Sequence, residues 1–159
     1  MEFDFILNDK STYRPNKYRD EASVNQLKYQ VNKIGGMTLD FFGKNSVRLG
    51  YRYNWEKDTF EVLPYYHVNG KRVWFDEQAM EVDKEFKYTC KISISNYNGR
   101  SSVWIKVFRK DTPKRLMISD IRWFEKGRGF IGFRQYPYFG GEGKGSKAPN
   151  NVQILIDFK

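Results

Sequence analysis

The sequence predicts an all-β fold, an antiparallel β-sandwich of two sheets (a jelly roll) with about ten strands. Apolar residues recur with a period of two almost throughout, beginning with Phe3 and Phe5 between acidic neighbours. The pairs Asn69-Gly70 and Asn98-Gly99 are strong signals for tight hairpins, because both central residues of a type I′ turn need positive φ. Aromatic residues form 18% of the chain, and their large side chains favour strands.

The expected strands follow from these alternating runs and the turn residues between them. In chain order they cover residues 3–7, 27–36, 47–53, 60–66, 71–75, 86–94, 102–109, 116–121, 129–136 and 152–158. The second of them is expected to end at Gly35-Gly36. Residues 76–82 carry the one helical pattern, and it is short.

The length of 159 residues suits a single domain, so we assign residues 1–159 to one sandwich. Its first and last strands are expected to be neighbours. The polar stretch 8–22, which contains Pro15, is predicted to be a surface loop. The glycine-rich stretch 139–150 is predicted to be a flexible loop, of a length that often serves function.

The positive charge is concentrated in the second half of the chain. Residues 1–80 contain 12 Lys and Arg against 11 Asp and Glu, whereas residues 81–159 contain 16 against 8. Such a field attracts nucleic acid, anionic membranes, acidic polysaccharides or an acidic protein. The competing explanation is that this positive charge only keeps the protein soluble.

Most catalytic and metal-binding arrangements do not fit the composition. Cys90 is the only cysteine and His67 the only histidine, so neither an intrachain disulfide nor a zinc site can be assembled. Asp76, Glu77 and Glu81 do not alternate along a strand as a glycosidase pair would require. We therefore expect no cofactor and no metal, and favour a non-catalytic protein.

A polysaccharide lyase is the enzyme hypothesis that fits best. It would need cations to neutralise a uronate and a base such as Tyr or His. The cations would be Arg48 and Arg52, which share one face of a predicted strand, and Arg134, which lies later in the chain. The base would be Tyr65 or His67, which share one face of the next strand. If the two strands pair, their polar faces coincide. The alternative is that these are ordinary outward-facing residues.

Ligand binding has broader support. The run 102–109 places valine and isoleucine on one face, and Trp104 and Lys106 on the other, so that Trp104 faces a groove. Tyr136 and Tyr138 are further candidates, because aromatic rings stack on sugar rings. The predicted ligand-binding residues are Arg48, Arg52, Tyr65, His67, Trp104, Lys106, Arg134, Tyr136 and Tyr138.

The C-terminal part resembles a known family. Residues 134–141 read Arg-Gln-Tyr-Pro-Tyr-Phe-Gly-Gly, and residues 148–154 read Ala-Pro-Asn-Asn-Val-Gln-Ile. This pattern, mainly over 134–158, resembles the closing segment of concanavalin A-like lectin/glucanase jelly rolls from gut bacteria of the Bacteroides group and their phages. The resemblance implies a jelly roll and a glycan ligand. It carries over no catalytic residue, because the acidic motif of the family's glucanases is absent.

We predict a non-catalytic, lectin-like carbohydrate-binding module. One alternative is a decoration or fibre module of a phage particle, which would bind virion or assembly proteins and could form a homo-oligomer. A lyase-like enzyme is the other. Nucleic acid is the least favoured partner, because no recognised binding motif accompanies the basic residues. With no apolar run of about 18 residues and no basic leader, the sequence predicts a cytoplasmic or particle-associated (virion) protein without a membrane span. A mature secreted protein whose signal has been removed is the alternative.

Overall fold

A computed structural model describes residues 1–12, 31–40, 42–54, 56–74, 76–98, 100–110, 115–124, 133–138 and 153–159. These residues form eleven strands and two 3-10 helices, Asp9–Ser11 and Asp76–Gln78. The strands are β1 (Glu2–Ile6), β2 (Asn32–Thr38), β3 (Ser46–Asn54), β4 (Thr59–Val68), β5 (Lys71–Val73), β6 (Met80–Val82), β7 (Lys87–Tyr97), β8 (Arg100–Arg109), β9 (Arg115–Phe124), β10 (Phe133–Gln135) and β11 (Leu155–Phe158).

The strands form two antiparallel sheets, which confirms the predicted all-β sandwich. The five-stranded sheet has the order β11-β1-β7-β8-β9. The six-stranded sheet has the order β10-β2-β3-β4-β5, and β6 also pairs with β4. β1 lies between β7 and β11, so the first and last described strands are neighbours, as expected.

The core lies between the inward faces of the two sheets. Phe3 and Phe5 alternate inward from β1 and are almost fully buried, and the ring of Phe5 stacks on Tyr88 at 5.5 Å. A hydrogen bond also joins the sheets, because the Tyr66 hydroxyl on β4 donates to Asp120 Oδ2 on β9 at 2.6 Å. Burying each large apolar side chain contributes about 1.5–3 kcal/mol to the free energy of unfolding.

The described residues of the two predicted hairpin turns have the backbone conformation that the sequence predicts. Asn69 and Gly70 have φ of 53° and 79°, the positive values that a type I′ turn requires. Asn98 has φ of 48°, while Gly99 lies outside the described residues.

Two of the predictions about secondary-structure elements are wrong. β2 does not end at Gly35-Gly36 but runs through both glycines to Thr38. The backbone of β3 lies so close that a Cβ on Gly36 would be 2.2 Å from the Val47 carbonyl oxygen, so the glycine permits close pairing here and does not turn the chain. Residues 76–82 are not one helix, because the short 3-10 turn is followed by strand β6.

Several predicted features lie outside the described residues. These are strand residues 27–30, 75, 129–132 and 152, most of the 8–22 loop, and the whole glycine-rich loop 139–150. Of the 8–22 loop, residues 8–12 are described, and they contain the first 3-10 helix, which Asn8 caps through its side-chain oxygen.

Candidate binding site

The outer face of the five-stranded sheet presents aromatic and basic side chains because β8 alternates strictly. Val103, Ile105 and Val107 point inward and are completely buried. Trp104 and Lys106 point to the other side, where Trp104 is 36% exposed. The predicted division of this strand into a core face and an open face is therefore confirmed for these residues.

A cleft of about 530 Å³ lies on this outer face, and we call it the lysine cleft. Its charged and aromatic lining residues are Glu2, Lys91, Lys106, Phe108, Arg109, Lys110 and Lys159. The strand register creates it, since Lys106 on β8 is directly opposite Lys91 on β7, and Lys91 is opposite Glu2 on β1. Residues from both ends of the chain thus meet in one site.

Glu2 forms part of the cleft wall and holds two of its lysines. Its carboxylate is 2.9 Å from Lys91 Nζ and 3.2 Å from Lys159 Nζ. The hydrogen bonds from Lys91 and Lys159 lower the pKa of Glu2, so it stays ionised at neutral pH.

Asp4 lies beneath the same group of lysines and is only 1% exposed. Four side chains contact its oxygens: Lys110 Nζ at 2.6 Å, Thr89 Oγ1 at 2.7 Å, Lys159 Nζ at 3.1 Å and Lys87 Nζ at 3.2 Å. Burial alone would raise the pKa of Asp4, but hydrogen bonds, first from Lys110 and Thr89, hold that pKa well below its usual range. The carboxylate thus fixes the lysine side chains from below.

The lysine cleft keeps an excess of positive charge. Lysines 87, 91, 106, 110 and 159 surround Glu2 and Asp4, and Asp157 lies opposite Asp4 on β11, so five lysines face three carboxylates among these described residues. Lys106 forms no ion pair within the described part of the chain, and its Nζ lies 5.3 Å from the centre of the Trp104 ring. The combination offers an anionic ligand a cation that pairs with none of the described carboxylates, beside an exposed aromatic ring.

The six-stranded sheet gathers a second group of predicted residues. β3 and β4 pair directly, with Arg48 opposite Tyr65 and Ser46 opposite His67. Tyr138 joins them through Lys33, with which it exchanges two backbone hydrogen bonds of 3.0 Å. The expectation that the polar faces of these two strands coincide is therefore confirmed.

Tyr65 nevertheless serves packing in this arrangement. It is 2% exposed and stacks on Trp74 at 5.6 Å with an angle of 12° between the rings. Lys33 Nζ lies 4.6 Å from the ring centre. With Val31 and Leu63, Tyr65 forms a small second hydrophobic cluster, so its ring offers no free face to a sugar.

His67 lies at the margin of that cluster. Its Nδ1 is 3.1 Å from Ser46 Oγ. Burial, together with the nearby cations of Arg48 and Lys33, lowers the pKa of His67, so the imidazole is neutral at neutral pH. A neutral imidazole can act as a base, but Tyr65 beside it is covered, and the lyase hypothesis stays a prediction.

The remaining predicted residues lie elsewhere and have partners within the chain. Arg52 is held by Glu61 and by Asp76, whose Oδ1 is 2.6 Å from Arg52 Nη1. Arg134 lies over the ring of Phe158 at 4.7 Å, and Tyr136 meets the same ring edge-on at 5.7 Å. The nine predicted residues thus divide among several places, and only Trp104 and Lys106 reach the outer face of the five-stranded sheet.

Sequence reasoning missed most of the lysine cleft. Lys91, Lys110 and Lys159 have ordinary outward positions in the sequence, and only strand register brings them together. The one available signal was the concentration of positive charge in residues 81–159.

Comparisons with protein-family models, with curated proteins and with solved structures find no significant match to this chain. The resemblance to concanavalin A-like domains therefore stays a prediction. Within the described residues, no group of three or more His, Cys, Asp or Glu side chains is arranged to hold a metal ion. None of the described helices is long and apolar enough to cross a membrane.

Proposed function

We propose that this protein binds an acidic polysaccharide, without catalysis, on the outer face of its five-stranded sheet. The observation that supports this most is the lysine cleft with Trp104 beside it. Carboxylate or sulfate groups of the polysaccharide would pair with Lys106 and its neighbouring lysines, and a sugar ring would stack on Trp104.

The hydroxyl groups of a glycan give the acidic wall of the cleft a partner that a phosphate backbone lacks. Glu2 lies on that wall, where it would repel the anionic groups of either polymer. A sugar carries hydroxyl groups as well as acidic groups, and a carboxylate accepts hydrogen bonds from hydroxyls. The exposed side chain of Ser93 at the same cleft adds a further hydroxyl partner.

Isothermal titration of the protein with polygalacturonate, hyaluronan and heparin, and with neutral dextran, tests the proposal. We expect at least one acidic polymer to bind and dextran not to bind. Because exposed charges dominate the contact, affinity should fall as the salt concentration is raised. Lys106→Ala should weaken binding by roughly tenfold, since charge-assisted contacts contribute about 1–2 kcal/mol each.

Lys71→Ala is the matched control, because Lys71 is an exposed lysine on β5 of the other sheet. If Lys106→Ala and Lys71→Ala reduced the affinity for the acidic polymer equally, the polymer would be attracted by the overall charge of the protein. That result would contradict a binding site at the lysine cleft. Tighter binding of single-stranded DNA of equal charge than of any acidic glycan would also contradict the proposal.

A structural module that binds other proteins is the second candidate. β9 is an edge strand among the described residues, and it exposes Leu116 to 50% and Trp123 to 53%. Exposed apolar side chains on a strand edge are a common protein contact. A stable oligomer in sedimentation analysis that dissociates on Leu116→Lys substitution would favour this candidate, and a monomer would count against self-association.

A further inference from the structure

The outer face of the five-stranded sheet carries a second cleft, at the tip of the β7–β8 hairpin. It has a volume of about 480 Å³ and is lined by Tyr97, Asn98, Arg100 and Trp123. Tyr97 is 69% exposed and Trp123 is 53% exposed, so both rings are open to a ligand. We call this the hairpin cleft.

Arg100 lies between the two aromatic side chains. It is opposite Tyr97 in the pairing of β7 with β8, while Trp123 on β9 is opposite Ser102, two residues farther along β8. No carboxylate pairs with Arg100 in the described ranges. Two aromatic rings near an available guanidinium suit a sugar ring that carries an acidic group, because the C–H groups of the sugar pack on the aromatic faces while the acidic group pairs with the guanidinium.

Small hydroxyl side chains connect the hairpin cleft with the lysine cleft. Ser93 and Ser95 are exposed on β7, where Ser93 is opposite Trp104, whereas Ser102, opposite Ser95 on β8, is buried. Ser93 also lines the lysine cleft. The surface between the two clefts is therefore low and polar, with Trp104 and Trp123 beside it.

The distance between the clefts follows from strand geometry. Arg100 and Lys106 are six positions apart on β8, and both point outward. At about 3.3 Å per residue, their Cα atoms are roughly 20 Å apart. A ligand that touches both must be an extended chain of several units.

We propose that the two clefts are the ends of one track for a linear acidic glycan, with Arg100 receiving an acidic group and Tyr97 and Trp123 holding a sugar ring. This inference rests on the proposed function and extends it, because it adds a second contact site for the polysaccharide about 20 Å from Lys106. The cations Arg100 and Lys106 would pair with acidic groups several sugars apart.

Calorimetric titration with oligogalacturonates of two and eight residues tests the track. The longer chain should bind wild-type protein at least roughly tenfold more tightly, since it reaches both clefts. Trp123→Ala and Tyr97→Ala should each weaken the eight-residue chain by roughly fivefold to tenfold and should affect the two-residue chain less, because the short chain can still occupy the lysine cleft. Phe42→Ala, at an aromatic residue that is 85% exposed and outside both clefts, is the matched control.

The outcomes separate this inference from the proposed function. If Lys106→Ala weakens the eight-residue chain while Trp123→Ala and Tyr97→Ala do not, the track is wrong and the lysine cleft stands alone. If neither chain binds wild-type protein, the lysine cleft is not a site for this acidic glycan, and the track is overturned with it. Circular dichroism of each variant shows that the fold is retained.

Discussion

Lys106 and Trp104 are two positions apart on β8, and the lysine Nζ lies 5.3 Å from the centre of the indole ring. Their spacing puts both side chains on the outer face of the five-stranded sheet. A cation above an aromatic ring is attracted by the ring's quadrupole, so each side chain limits the conformations of the other. The pair is therefore partly organised before any ligand arrives.

Asp4→Asn should destabilise the fold. Asp4 is 1% exposed and accepts hydrogen bonds from Thr89 on β7, from Lys110 just beyond β8 and from Lys159 just beyond β11. We expect a loss of about 2 kcal/mol in urea denaturation, less than for a fully buried ion pair because the lysines can turn to water. Asp157→Asn is the control, since this residue is opposite Asp4 on β11 but exposed. Equal stability of both variants would contradict the account.

The same carboxylate makes stability depend on pH. Its pKa in the folded protein is held well below its usual range, while in the unfolded chain it is about 4. The contribution of the Asp4 carboxylate to the free energy of unfolding is thus fully present above about pH 5. It is lost as the pH falls through about 4 towards the folded-state pKa. In urea denaturation from pH 7 to pH 2, wild type and Asp4→Asn should converge at the acidic end. A difference that stays constant would show that Asp4 does not titrate as described.

Tyr66→Phe removes the hydrogen bond to Asp120 that joins β4 to β9. Burial first, and then this bond to a carboxylate, raise the pKa of Tyr66 well above its usual range. We expect a loss of about 1.5–3 kcal/mol in the free energy of unfolding, the usual range for a hydrogen bond to a charged group. Tyr97→Phe is the matched control, because Tyr97 is largely exposed. A Tyr66→Phe variant as stable as wild type would mean that the bond is absent in solution.

Cys90 should be unreactive in the native protein. It is completely buried, and burial raises the pKa of its thiol, so very little thiolate forms. Ellman's reagent should label it only after denaturation. Rapid labelling without denaturant would show that the core of β7 opens readily.

Local sequence pattern predicted the parts of the fold that depend on local chemistry. The turn at Asn69-Gly70 needs positive φ, and the alternation of β8 decides which way Trp104 points. Both can be read from neighbouring residues. The run of β2 through Gly36 could not be predicted, because it depends on how closely the backbone of β3 approaches.

The candidate site was predictable only in part for the same reason. Trp104 and Lys106 belong to one strand, whereas Glu2 and Lys159 come from opposite ends of the chain and meet through the pairing of β1 with β11. Tyr65 was expected on an open face, but Trp74 covers it. Contacts between distant segments decide both cases, and no local pattern reports them.

Nuclear magnetic resonance mapping of the bound face tests the central claim most directly. Isotope-labelled protein is titrated with an oligogalacturonate of eight residues, and amide and indole resonances are followed. The account predicts that the largest shifts occur at the Trp104 indole and at the Lys91 and Lys106 amides, in the five-stranded sheet. Shifts concentrated instead at Arg48 and His67, on the six-stranded sheet, would contradict it.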